Sequence, residues 1–326
     1  RLAEHVFGER IVYEAKTEHW RNVPDFGRIV QILVPEESSR IAMLEAGEAD
    51  IIEVGLEGAG ILESKGYPVQ TIPNTYASAV LFAEAVDHPE HPVGNAKVRQ
   101  ALGLAIDREE MAEAMFLGQA EPAMPWQMFK GGTGWNDERF SPIPYDPDKA
   151  RQLLAEAGYE DGFDMELFVF SLGGEAGLPD IGIAVAGYWE KIGVRTEIIR
   201  TEWPVFRGYW VAVYPKDPTI ATAAFILGSD RKVDTVGSLA LYWDSRSVIQ
   251  LAGINTELDQ ALDAMIAEPD FDKQKEMMWD IFDMTEQIST ALPILFHSTY
   301  LSSGPAVGTM EPIIGHDRMG AVFETV

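Results

Sequence analysis

With 326 residues, 46% of them hydrophobic, the chain is long enough to bury a large core, and its length favours about two domains. A net charge of −27 argues against binding to nucleic acid or anionic membranes, because phosphate contacts need clusters of Lys and Arg. The lack of cysteine excludes disulfides, thiolate metal sites and cysteine nucleophiles, and no apolar run approaches the roughly 18 residues of a membrane span.

The first eighty residues predict short strands and helices. Residues 2–6 and 11–15 flank a turn and predict a hairpin. The apolar run 28–34 predicts a strand buried on both faces, joined through a helix to a parallel strand at 50–53 by a right-handed crossover. An apolar run at 76–82 then leads into a polar, proline-rich loop.

Two capped helices and a long loop follow. Val98 to Ile106 predicts one helix, and Asp107 with Glu110 forms a capping box for the next, which stops at Gly118. Residues 119–144 predict a long ordered loop, because its aromatic residues argue against disorder.

The stretch from Tyr145 to Tyr159 predicts a helix with both ends marked. Asp146 is placed to cap it, Pro147 fits its first position, and Gly158 supplies a left-handed stop. A strand is predicted at 165–170.

The remaining third predicts a helix at 181–192, a strand at 194–198, an aromatic helix or turn at 203–214 and a strand at 219–227. Two further helices around 258–266 and 277–288 precede a strand at 293–297.

Two of these blocks resemble signatures of the peptide/nickel-type (family 5) solute-binding proteins of ABC importers. The blocks are Tyr145-Asp-Pro-x-Lys-Ala-x-x-Leu-Leu-x-Glu-Ala-Gly-Tyr159 and Val98-Arg-Gln-Ala-Leu-x-x-Ala-Ile-Asp-Arg108. The resemblance implies an α/β fold of the type II periplasmic-binding-protein kind, with two lobes and an incomplete first lobe. It places residues 1–82 and 298–326 in the partial first lobe and residues 83–297 in the second, with an N-terminal part missing.

The resemblance also implies a function. The expected protein is an extracytoplasmic or periplasmic monomer that captures a peptide or similar small solute between its lobes and delivers it to the membrane subunits of an ABC permease. No cofactor, catalysis or membrane insertion of this fragment is implied.

Site residues follow from the same resemblance. Peptide-binding members carry an acid after the strand that corresponds to residues 219–227, and it pairs with the amino terminus of the peptide. Asp230 is the nearest match and Asp234 the second, although Arg231 competes for the carboxylate. The other expected ligand-binding residues are Phe225, Phe170 and Ser171 on strands near the cleft, and the loop aromatics Trp126 and Trp135.

Three alternatives remain open. His88 and His91, beside acidic residues, predict at most a metal or metal-chelate site of the nickel type. A hydrolytic enzyme on the same scaffold has no G-x-S-x-G motif in its favour. A fragment that lacks one cleft wall could also bind nothing, and the sequence does not identify the ligand.

Overall fold

The protein is described by a computed structural model that covers residues 1–20, 23, 26–172, 177–211, 220, 222–230, 234–312 and 321–325, with the backbone alone at 230, 308–312 and 321–325. Its strands are β1 (Leu2–Val6), β2 (Arg10–Glu14), β3 (Arg28–Ile32), β4 (Ile51–Val54), β5 (Val69–Phe82), β6 (Glu121–Pro122), β7 (Phe163–Val169), β8 (Val194–Arg200), β9 (Ala224–Asp230), β10 (Ala291–Ser303), β11 (Val307–Pro312) and β12 (Ala321–Thr325). Its helices are α1 (Glu37–Ala46), α2 (Leu56–Ser64), α3 (Ala96–Leu104), α4 (Arg108–Phe116), α5 (Pro147–Glu156), α6 (Leu178–Glu190), α7 (Trp203–Trp210), α8 (Thr235–Trp243), α9 (Thr256–Ala267) and α10 (Phe271–Ile288).

The chain forms two compact units. The first contains residues 1–72 and the described residues beyond 298, and the second contains residues 73–298. The chain leaves the first unit within β5 and returns to it within β10. The predicted lobe boundary after residue 82 falls at the end of β5 instead, and the assignment of residues to lobes stays a prediction.

In the first unit, β1, β2 and β3 form an antiparallel sheet in that order. The predicted hairpin is confirmed, with Val6 opposite Arg10. The prediction for the third strand is wrong: β3 pairs with β2, and β4 pairs antiparallel with the end of β10, so the two do not form a parallel unit. An apolar run marks a strand but does not specify its partner, and much of β3 is exposed.

The second unit is built on a sheet in the order β10-β5-β9-β7-β8. β7 runs parallel to both β8 and β9, while β9 runs antiparallel to β5. Successive side chains of each strand point to opposite sides of the sheet, and both sides are buried because helices cover them. We call the two sides the aliphatic face, covered by α3 to α6, and the aromatic face, covered by α7 to α10 and the loop 119–144.

The helix predicted within Tyr145–Tyr159 is confirmed as α5. Asp146 accepts a hydrogen bond from the backbone N–H of Lys149 at 2.8 Å, and Pro147 is the first residue of α5. Ala150 and Leu154 bury the apolar stripe against the aliphatic face. Gly158 has φ of 86°, the left-handed conformation that ends the helix.

Two buried arginines of the other signature block fasten α3 and α4 to their surroundings. Arg99 donates to the carbonyls of Val93 and Gly94 and, at 3.1 and 2.5 Å, to that of Ile288. Arg108 donates to the carbonyl of Pro293 at 2.7 Å and to three further carbonyls. Burial lowers the pKa of Arg99 to about 10 and that of Arg108 to about 9, so both stay charged at neutral pH.

The start of β7 is fixed by a contact between two glycine backbones. Gly162 has φ of 73°, and a Cβ placed on it would lie 1.8 Å from the carbonyl oxygen of Gly193. No residue with a side chain fits there without displacing the backbone that leads into β8.

Candidate functional site

Three parallel strands end at one edge of the sheet in the second unit. β7 is followed by Phe170 and Ser171, β8 by Thr201 and Glu202, and β9 runs to Asp230, which lies opposite Tyr76 of β5. The backbone N–H of Thr201 donates to the carbonyl of Val169 at 3.1 Å, which fixes the first two strand ends together. We call this edge the carboxyl edge, the place where open α/β sheets commonly bind their ligands.

Below the carboxyl edge lies a layer of closely packed aromatic rings on the aromatic face. The ring of Phe206 lies 4.8 Å from that of Phe170 and 4.7 Å from that of Phe225, between centroids. Trp210 extends the layer, 5.0 Å from Phe225, and Trp203 lies 5.2 Å from Phe170. α7 therefore supplies the rings that cover the two strand phenylalanines.

The structure gives the predicted strand residues different positions. Phe170 and Phe225 are each 1% exposed, so their rings form the floor of the region and offer no open surface. Ser171 is exposed and Trp203 is half-buried, so these two side chains are reachable. Whether any of them contacts a ligand stays a prediction.

The two predicted acids are also placed, with different detail. Asp230 is the last residue of β9, but its side chain and Arg231 lie outside the described residues. Asp234 is the N-cap of α8, where its carboxylate accepts a hydrogen bond from the N–H of Gly237 at 3.1 Å. Asp234 thus has a local structural role, which does not exclude contact with a ligand.

The loop aromatics occupy two places. Trp135 packs half-buried against the aromatic face, next to a loop segment that is tied to α8 by a bond from the N–H of Gly134 to the hydroxyl of Thr235 at 3.0 Å. This contact places Gly134, the residue before Trp135, at the end of α8 that Asp234 caps. Trp126 is 3% exposed, lies 5.6 Å from the ring of Tyr242, and lines a separate cavity.

The histidine pair of the metal alternative makes local contacts. His88 pairs with Glu90 at 3.2 Å and with Glu84 at 3.9 Å, and His91 accepts from the N–H of Val93 at 3.4 Å. In the part of the chain that the structure describes, no group of three or more His, Asp or Glu side chains is arranged to hold a metal ion. The metal-chelate alternative stays untested by this geometry.

Trp203 is not among the ligand-binding residues expected from the sequence, yet it lies beside Phe170 at the carboxyl edge. Its position was already visible, because it follows the predicted strand 194–198 by only a few residues, at the end of the strand where a ligand is expected. The missing information was the parallel pairing of β7 and β8, which brings Trp203 beside Phe170.

The fold is that of the type II periplasmic binding proteins, which confirms the predicted α/β class. It matches the solved dipeptide-binding protein of Pseudoalteromonas sp. SM9913 in complex with Met-Leu with a TM-score of 0.78, at 22% identity, over 95% of this chain and 60% of that one. A profile of the bacterial extracellular solute-binding proteins, family 5 (middle region), matches residues 1–230. The chain belongs to that family.

Curated relatives agree with this assignment. The chain is 32% identical over 205 residues to heme-binding protein A of Haemophilus influenzae, covering 61% of this chain and 36% of that protein. It is 26% identical over 210 residues to the dipeptide-binding protein of Escherichia coli, covering 62% of this chain and 38% of that protein. The chain therefore spans little more than a third of either relative, and these homologues are binding proteins, not enzymes.

Among the described helices, none combines the length and the apolar character needed to cross a membrane.

Proposed function

We propose that the whole protein is the solute-capturing component of an ABC importer and takes a peptide or a similar small solute. The observation that carries the proposal is the carboxyl edge, where the exposed Ser171 and the half-buried Trp203 lie above a floor of closely packed rings. Small-molecule sites combine such apolar surfaces with a few polar groups that fix orientation. Relatives named for dipeptide and heme binding support a small-molecule solute.

Each group at the edge has a proposed role. Trp203 offers a large, rigid surface to an apolar side chain of the solute. The side chain of Ser171 forms a hydrogen bond with the backbone of the solute. The carboxylate of Asp230 pairs with the amino group of the solute. Phe170 and Phe225 form the buried floor beneath these groups.

We propose that the protein binds its solute by closing around it and releases the solute by opening. The solute favours a closed state only to the extent that it makes better contacts there than in the open state. No bond is made or broken, so we propose a binding protein and not an enzyme. A monomer outside the cytoplasm that delivers its solute to permease membrane subunits completes the proposal.

The test uses the protein expressed from its complete gene. A thermal-shift screen over dipeptides, tripeptides, opines, sugars and metal chelates should raise the Tm with at least one class, and calorimetry then gives the Kd. Failure of every class to raise the Tm would contradict the proposal. Mass spectrometry of co-purified molecules identifies the natural solute.

Variants then test the carboxyl edge itself. Trp203→Ala should raise the Kd for the solute by about tenfold or more, since truncating a buried tryptophan contact commonly costs over 1 kcal/mol. Val205→Ala, an exposed neighbour on α7, is the control and should leave the Kd unchanged. Equal affinities for both variants and the parent would remove Trp203 from the site.

A further inference from the structure

The cavity lined by Trp126 lies in the helical part of the second unit. Its volume is about 360 Å³, and the residues that line it come from α3, α5, α8, α10, the loop 119–144 and the start of β10. Among the described residues, those that line it include none from β7, β8 or β9, so the cavity is separate from the carboxyl edge. Its volume lies at the small end of the range for ligand pockets.

Most of the cavity wall is apolar. Leu104, Ile143 and Leu153 line it together with two tryptophans, Trp126 and Trp243. Trp126 is 3% exposed and Trp243 is 1% exposed. Both indole nitrogens are fully covered, so the parts of the rings that line the cavity are carbon.

These tryptophans have a second unusual property. Neither indole N–H has a hydrogen-bond partner among the described residues. The amide of Gln127, next in the chain to Trp126, is also buried without a partner there, and Gln127 has φ of 77°, which is rare for a residue other than glycine. Unpaired buried groups and backbone strain are costly and concentrate beside binding sites.

One carboxyl group stands at the wall, that of Glu286 near the end of α10. The residue as a whole is exposed, but partial burial of its carboxyl, together with the nearby charge of Asp283, raises its pKa to about 7. No described residue offers this carboxyl a hydrogen bond or an ion pair; the hydroxyl of Ser289 donates to the backbone carbonyl of Glu286 at 2.5 Å and does not reach the carboxyl. A cation in the cavity would therefore meet a carboxylate that lacks a counterion.

We propose that this cavity binds a small organic ammonium ion, with its charged group at Glu286 and its apolar body against Trp126 and Trp243. Aromatic carbon faces attract an organic cation, and a carboxylate at the wall supplies the opposite charge. The net charge of −27 adds a field that favours cations over anions. This site is distinct from the proposed solute site and does not depend on it.

Two other charged groups near the cavity also affect the binding of a cation. Lys149 also lines the wall and opposes a cation, although it is exposed and its ammonium donates to the side chain of Gln152 at 3.1 Å. Asp283 adds a second negative charge, although it shares the guanidinium of Arg139 with Asp280. Lys149→Gln should therefore strengthen the binding of an ammonium ion.

The experiment compares two probes of similar shape and opposite charge, phenethylamine and 3-phenylpropionate, by titration calorimetry at pH 7. Phenethylamine should bind about tenfold or more tightly than the acid. Its binding should also release protons, measured as a dependence of the heat on the buffer, because a bound ammonium ion favours the ionised form of Glu286.

Two variants with the same substitution decide the assignment. Glu286→Gln should weaken the binding of phenethylamine by about tenfold and abolish the proton release, and it should not unfold the chain because it removes a poorly solvated carboxyl. Glu276→Gln, at an exposed glutamate on the same helix, is the control and should leave binding unchanged.

The proposal is overturned if phenethylamine does not bind, if both probes bind equally, or if the two variants behave alike. None of these results bears on the carboxyl edge, because a peptide or other solute found in the thermal-shift screen would still bind there. Conversely, failure of that screen leaves the ammonium test intact.

Discussion

On the aliphatic face of the sheet, buried polar side chains bond to backbone carbonyls, whereas on the aromatic face several have no described partner. Arg99, Arg108 and the indole of Trp189 all donate to carbonyls on the first face. The indoles of Trp126 and Trp243 have no described acceptor on the second. The division is not complete, because one nitrogen of Arg108 also lacks a described partner.

The difference indicates a division of labour within one sheet. A face whose polar groups are satisfied contributes rigidity and a single conformation. A face that holds space, strain and unpaired donors is less stable by itself, and such features persist where a ligand uses them. Four predictions can break or sharpen this contrast.

The largest effect is expected at Arg108, which donates to four backbone carbonyls. Arg108→Met leaves those buried carbonyls without their donor and should lower the free energy of unfolding by about 3–5 kcal/mol. Urea denaturation measures the loss. Arg207→Met, an exposed arginine of α7, is the control and should change stability by less than about 0.5 kcal/mol.

The next effect concerns pH and His297, whose ring lies 5.7 Å from that of Tyr76 and 5.6 Å from that of Phe116. Burial lowers the pKa of His297 to about 4. Between that value and the ordinary 6.5 the unfolded chain binds the proton and the folded chain does not. Stability of about 3 kcal/mol, present above pH 6.5, should therefore be lost as the pH falls toward 4.

His297→Phe keeps a ring between its neighbours and should flatten this part of the curve of unfolding free energy against pH. Carboxylates titrate in the same range, so the slope must be compared with that of His5→Phe, which changes an exposed histidine. Identical slopes for the two variants would show that His297 is not the group responsible.

A third test compares one indole on each face. Trp189 donates to the carbonyl of Leu102 at 3.0 Å, whereas Trp126 has no described acceptor. Trp189→Phe and Trp126→Phe remove the same atoms from buried sites, but only the first breaks a hydrogen bond. The first should cost about 1–2 kcal/mol more in urea denaturation. Equal costs would mean that the contrast between the faces does not exist in energetic terms.

The smallest effects are expected at two helix caps. Asp146→Ala and Asp234→Ala should each cost about 1 kcal/mol, and the corresponding Asn variants much less, because Asn also caps. Asp234→Asn separates two roles for this residue. If Asp234→Asn lowers the affinity of the complete protein for its solute while stability is retained, Asp234 also belongs to the binding site. An unchanged affinity would limit Asp234 to capping α8.

Local signals explain which parts of the fold were predictable. The cap of α5, the stop at Gly158 and the hairpin of β1 and β2 each depend on residues close together in the chain. The partner of β3 was predicted wrongly, because an apolar run is compatible with any strand that offers a free edge. Pairing depends on distant residues, and the sequence pattern does not contain it.

The candidate site was predictable only in composition. The sequence indicated aromatic residues and strand ends, but not which rings would be covered. Phe170 and Phe225 are buried because strand alternation turns both toward α7, and that helix brings Phe206 over them. The place of Trp203 beside Phe170 depends on the pairing of β7 with β8, and the cavity at Glu286 arises from the packing of separate helices; the sequence pattern encodes neither.

The contact between Gly162 and Gly193 has a practical consequence for anyone who redesigns this protein as a sensor. Mutational libraries should leave both positions as glycine, because a Cβ on Gly162 would collide with the Gly193 carbonyl and Gly193 has φ of 91°. Diversity belongs at the opposite ends of the same strands, around Ser171 and Trp203, where side chains can change without moving the backbone behind them. If the proposed solute site at the carboxyl edge is correct, a reporter dye attached at Ser171 should respond to the solute.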